Sequence, residues 1–192
     1  MNFLELIGSL TGLLYLWLEL RVSIYLWPVS ILMPAIYLFV YYEAGLYADF
    51  GINIYYMIAA IYGWWIWAKK SPKTNNSFIT ETPTHTILPL CIVFAAIFLI
   101  IGWILTNYTD STVPWTDSFT TAASIIALWM LARKYVEQWL VWMVVDAVSC
   151  GLYIYKSLYF TALLYGIYTI IAIFGYYKWK RQMKSTMIYE NE

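Results

Sequence analysis

The sequence predicts an all-α polytopic membrane protein, with seven transmembrane helices arranged as two similar three-helix halves around one odd helix. Three observations point there. First, 62% of the 192 residues are hydrophobic and only 11% are charged, against about 25% charged in a soluble domain. Too few solvating side chains remain to coat a water-soluble core. Second, the lysines and arginines fall almost entirely on one side of a seven-span arrangement. Third, the chain repeats itself at a spacing of 112 residues. The formal net charge of zero gives no electrostatic footprint for nucleic acid, so a nucleic-acid partner is not expected.

A helix needs about 20 mostly apolar residues to cross the hydrocarbon. Candidate spans are 3–20, 24–42, 50–68, 86–106, 118–132, 136–154 and 159–178, the fifth being the shortest. The N-terminus lacks a basic region and a small-residue cleavage site, so the first helix is expected to be retained. Residues 68–85, AKKSPKTNNSFITETPTH, are polar and rich in Pro, Asn and Thr, and read as an exposed loop. Cys91 and Cys150 sit in apolar runs as small buried hydrophobes. His85, the single histidine, lies in the polar loop without a carboxylate cluster, and no metal site is expected.

With seven spans, Arg21, Lys69, Lys70, Lys73, Arg133, Lys134, Lys178, Lys180, Arg181 and Lys184 share one side, and Lys156 alone takes the other. Short Lys/Arg-rich loops stay cytoplasmic. The C-terminus is then cytoplasmic and the N-terminus outside. Glu19 is near the cytoplasmic ends, and Arg133 and Glu137, four apart, are spaced to pair. Glu43, Asp49, Asp110 and Asp117 fall near the outer side.

Shifted by 112 residues, Leu16, Trp17, Arg21 and Trp27 meet Leu128, Trp129, Arg133 and Trp139. Tyr41, Leu46 and Tyr47 meet Tyr153, Leu158 and Tyr159, and Tyr56, Ala60, Gly63 and Trp67 meet Tyr168, Ala172, Gly175 and Trp179. The organisation is therefore a first repeat over 5–67, a linking helix over 86–106, a second repeat over 117–179 and a cytoplasmic tail over 180–192. Each repeat spans three times, and the linking helix restores direction, which gives a 3+1+3 parallel repeat. That linking helix is apolar on all faces and is expected at the periphery.

Polar groups in mid-span are costly and face the bundle interior. Trp139, Trp142 and Asp146 occupy i, i+3 and i+7 on one face of span six. Asn53 and Tyr56 share a face of span three, while Tyr165 and Tyr168 occupy the matching face of span seven with Thr169 one turn along. Indoles and phenols beside a carboxylate in low dielectric suit a flat, cationic aromatic ligand. Trp67, Trp103, Trp115 and Trp179 are expected in the interface belts, and Ala60/Gly63 with Ala172/Gly175 as packing notches. Pro34, at the repeat position of Asp146, and Pro28 allow a kink in span two.

The stretch RKYVEQWLVWMVVD (133–146), with LYIYKSLYFTALLYGIYTIIAIFGYYKW (152–179) and LYADFGINIYYMIAAIYGWWIW (46–67), resembles the PnuC family of bacterial vitamin transporters. The resemblance covers roughly residues 5–180. It implies a SWEET-like 3+1+3 fold in the bacterial inner membrane. It also implies facilitated diffusion by alternating access of an unphosphorylated vitamin, trapped by a cytosolic kinase. Trp139 and Trp142 match the family's stacking tryptophans, and Asp146 a position that is asparagine or aspartate there. Asn53 stands where several nicotinamide riboside carriers have glutamine, and Ala60 where some have asparagine. Nicotinamide riboside ranks first as substrate, with thiamine the alternative; no cofactor is implied, and self-association into a homo-oligomer is left open. A membrane-embedded enzyme is disfavoured, because Asp146 has no second catalytic carboxylate, no histidine within the membrane and no metal set. A non-transporting assembly or receptor protein is the remaining class.

Overall fold

The computed structural model describes residues 3–43, 47–69 and 79–189. Seven helices follow one another: α1 Phe3–Leu20, α2 Leu26–Glu43, α3 Tyr47–Lys69, α4 Thr84–Tyr108, α5 Pro114–Ala132, α6 Gln138–Tyr155 and α7 Tyr159–Tyr189. Loop residues 70–78, with Lys70 and Lys73, lie outside the described residues, as does Leu46 of the repeat. Two helices outrun the sequence expectation by four residues or more at one end. α5 begins at Pro114 because proline at the first helical position gives up no needed N–H. α7 continues to Tyr189, taking in most of the expected tail, because no Gly or Pro interrupts 176–189. Among the described residues α4, α6 and α7 are long and apolar enough to cross a membrane by composition alone.

The chain divides into two compact units, Met1–Ser77 and Phe78–Glu192. In the first, α1 packs on α2 and α2 forms a hairpin with α3. The α1–α2 turn closes with Val22 in the left-handed region, φ 52°. There the Val22 N–H donates to the Glu19 carbonyl and the Ser23 N–H to that of Leu18, which satisfies helix-end carbonyls in the Schellman manner. The second unit holds the same turn at α5–α6. Lys134 has φ 61°, its N–H donates to the Leu131 carbonyl, and the Tyr135 N–H donates to that of Met130. Each residue here is 112 positions from its counterpart.

A second local geometry recurs at that spacing. In the first unit Trp27 is fully buried, meets Trp67 edge-on at 5.4 Å and 89°, and lies against Gly63. In the second, Trp139 is fully buried, meets Trp179 edge-on at 5.7 Å and 86°, and lies against Gly175. A Cβ at Gly175 would stand 2.6 Å from the Trp139 ring, so only glycine admits the indole. Ala60 and Ala172, one turn earlier, are buried as well. The notches expected from sequence are thus tryptophan seats. This corrects the expectation for Trp67 and Trp179: they are buried ring partners, whereas Trp103 and Trp115 are about half exposed.

The second unit adds α4, which packs on α5. Trp115 fills the space over Gly102, and the Ser118 hydroxyl donates to the Phe98 carbonyl. The rest of α4 turns apolar side chains outward, Leu88, Ile92 and Ile100 among them. Cys91 is exposed there and not buried, and Cys150 is half-buried. His85 lies in the first turn of α4, exposed, and not in a loop.

The end of the polar segment is also not free. Thr80 bridges in parallel to the α5–α6 turn, its N–H on the Lys134 carbonyl at 3.1 Å and its own carbonyl accepting from Val136 at 3.0 Å. Glu137 Oε2 accepts from the Thr82 N–H at 2.8 Å and the Thr82 hydroxyl at 2.7 Å, and Ile79 is buried beside them. Thr82→Val removes one charge-assisted hydrogen bond. It is expected to cost about 1.5–3 kcal/mol, read as a lower melting temperature of the purified protein in detergent.

Candidate substrate-binding site

One face of α6 carries Trp139, Trp142, Asp146, Ser149 and Tyr153 at intervals of three or four residues. The α6–α7 hairpin covers much of this face. Asp146 is 6% exposed and Ser149 equally buried. Among the described residues no cation forms an ion pair with Asp146; the ion pair found joins Lys156 to Asp117 at 3.9 Å near the other end of α6. An uncompensated carboxylate in a span is expensive and calls for a proton or a cationic partner.

Around it stands a wall of phenols. Tyr165 stacks on Tyr153 at 5.1 Å and 29°, and meets Tyr168 edge-on at 5.6 Å and 61°. Asp146 is near enough to act electrostatically on both Tyr165 and Tyr168. The Thr169 hydroxyl donates to the Tyr165 carbonyl of its own helix at 2.9 Å, so it presents only lone pairs to a ligand.

The two tryptophans differ. Trp142 is half-buried; the indole N–H groups of both are buried and unpartnered among the described residues. Trp139 is fully buried between Gly175 and Trp179. Trp139 packs α6 on α7, and Trp142 is the more exposed of the two indoles.

In the first unit, Asn53 and Tyr56 are both half-buried on α3, and Tyr56 meets Tyr55 edge-on at 5.8 Å. Thus Trp142, Asp146, Tyr165, Tyr168 and Thr169 share the α6–α7 hairpin, and Asn53 and Tyr56 belong to the other unit. Tyr153 and Ser149 were missed as candidates. The signal was available, since Tyr153 lies two turns beyond Asp146 on the same face.

Lys156 and Asp117 are about one-third exposed, where an ion pair contributes little. Lys156→Ala is expected to leave melting temperature and solute flux near those of the parent. A large loss of flux would make this pair part of the permeation path.

The α6–α7 hairpin thus brings together a buried carboxylate, stacked phenols and a half-buried indole. The family model described as nicotinamide mononucleotide transporter matches residues 2–181. The chain belongs to this transporter family. Its relatives include the nicotinamide riboside transporter PnuC of Escherichia coli, 21% identical over 93% of this chain and 85% of that protein. The riboflavin/roseoflavin transporter RibM of Streptomyces davaonensis is 28% identical over 91% of this chain and 83% of the relative. The crystal structure of the vitamin B3 transporter PnuC superposes with a TM-score of 0.70 at 21% identity, covering 93% of this chain and 81% of that one. The seven-helix fold is therefore that of this transporter family.

Proposed function

We propose that this member of the nicotinamide mononucleotide transporter family carries nicotinamide riboside, or a similar cationic aromatic vitamin, by facilitated diffusion. The observation that carries the reading is Asp146: a carboxylate 6% exposed, beside Trp142 and the Tyr165–Tyr168 wall, without a cationic partner among the described residues. A pyridinium ring satisfies both features at once, stacking on the aromatics and neutralising the charge. On the α6–α7 hairpin the proposed ligand contacts are Trp142, Asp146, Tyr165, Tyr168 and Thr169, with Trp139 packed at the start of α6; Asn53 and Tyr56 on α3 are proposed from the sequence pattern alone.

The chain is read as a 3+1+3 parallel repeat that alternates access between two faces. The recurring Schellman turns and Trp–Gly–Trp seats support that reading. The basic helix ends support a cytoplasmic C-terminus in a bacterial inner membrane. A carrier without a pump accumulates its solute only if the product is trapped, so phosphorylation by a cytosolic kinase completes the process, and no chemistry is assigned to the carrier itself.

A second reading, a neutral flavin as cargo, is favoured by the likeness to RibM. Uptake of labelled nicotinamide riboside, thiamine and riboflavin into proteoliposomes holding only this protein separates the readings. Saturable, mutually competitive flux of the two cationic vitamins is expected. Flux of riboflavin alone would replace the cationic reading, and absence of flux for all three would end the proposal.

A further inference from the structure

A groove of about 450 Å³ runs along the second unit between α4, α5 and α6, apart from the α6–α7 hairpin face that carries Asp146. Thr82 and Glu137 are its polar lining residues, where the strap before α4 meets the start of α6. The side chains between are carbon and sulfur only, and the edge-to-face pair Phe94–Phe119, 5.7 Å apart, lies at the far end. From the start of α4 at Thr84 to Phe94 the rise is about 15 Å at 1.5 Å per residue. That is half of the roughly 30 Å hydrocarbon thickness. The groove is therefore one leaflet deep, and its polar end lies with the basic helix ends.

We propose that this groove holds one acyl chain of a phospholipid from that leaflet, selected by a primary-ammonium headgroup, as in phosphatidylethanolamine, set beside Glu137. A lipid tail gains no hydrophobic free energy by leaving other tails, so preference must come from the head. Four charges of mixed sign gather at this end, Glu81, Glu137 and Lys180, which act on one another electrostatically, and Arg133. Glu137 supplies a carboxylate fixed in place by two hydrogen bonds from Thr82. Arg133, one turn earlier, is exposed with its guanidinium 5.4 Å from the Trp129 ring, at the level of a lipid phosphate. An ammonium with its own N–H donors bonds the carboxylate; a glycerol headgroup brings no positive charge to it.

Cys91 lines the groove and reports its occupancy. In the full-length Cys150→Ser protein in maltoside micelles, added phosphatidylethanolamine is expected to slow maleimide labelling of Cys91 by about tenfold, the factor one charge-assisted hydrogen bond supplies. Phosphatidylglycerol at the same mole fraction should slow it much less. Glu137→Gln should remove the difference between the two lipids. Thr82→Val, which removes only the hydroxyl's hydrogen bond and keeps the charge, should preserve it. Val144→Trp, at a half-exposed lining position, should block the groove and abolish the lipid response. Equal protection by both lipids, no protection by either, or an undiminished preference in Glu137→Gln overturns the proposal. So does concentration-dependent protection without lipid that tracks a multimer mass, which would assign the groove to self-association.

Discussion

Asp146→Asn is expected to weaken binding of nicotinamide riboside by about 1–3 kcal/mol, roughly fivefold to 150-fold in Kd. The amide keeps the shape and one acceptor oxygen, exchanges the other for an NH2 donor, and loses the charge. The measurement is ligand quenching of tryptophan fluorescence, read alongside flux in proteoliposomes. Because Asp146 is 6% exposed and unpaired by a cation among the described residues, neutralising it should not destabilise the empty protein; removal of an uncompensated buried charge commonly helps stability. The expected signature is thus lower affinity with an unchanged or higher melting temperature. A neutral flavin offers the control, since its affinity should hardly respond. Unchanged affinity for the cationic vitamins would return Asp146 to a structural role.

The parts of this fold legible in the sequence are those that local chemistry dictates. Length and apolarity marked all seven helices, and the 112-residue spacing brought Gly63 into register with Gly175 and Trp27 with Trp139. What sequence left dark was burial. In water an apolar residue signals the inside, but lipid accepts it equally well. Trp67 and Trp179 therefore read as belt residues although they are buried, and Cys91 read as buried although it faces outward. The strap from Ile79 to Thr82 was invisible for a different reason. Its partners, Lys134, Val136 and Glu137, lie more than fifty positions away, and nothing local in a polar Thr-rich segment announces such pairing. Within the site, the carboxylate and its phenols were readable because polar residues in mid-span stand out against their neighbours. The unequal burial of Trp139 and Trp142 was not, because helical spacing puts both on one face and only the packing of α7 tells them apart.

That difference between the two indoles gives the second large effect. Gly175→Ala drives a Cβ to within 2.6 Å of the fused edge of the Trp139 ring, which is held from the other side by Trp179. The indole is fully buried, so it has nowhere to yield, and overpacking of this kind costs about 1–3 kcal/mol. Trp139→Leu should cost about as much as other large-to-small aromatic changes, near 3–5 kcal/mol. Combined, the two should be far from additive, because the leucine vacates the space that the new methyl enters. Denaturant or thermal unfolding of the four proteins in detergent supplies the cycle. Affinity measured on the same samples then separates the roles. A packing residue loses stability while Kd for the vitamin stays within a few fold, and Trp142→Leu does the reverse. Were Trp139→Leu instead to abolish binding in a protein of parental stability, the buried pose of Trp139 would be one state of the carrier, and the stacking surface would open in the other.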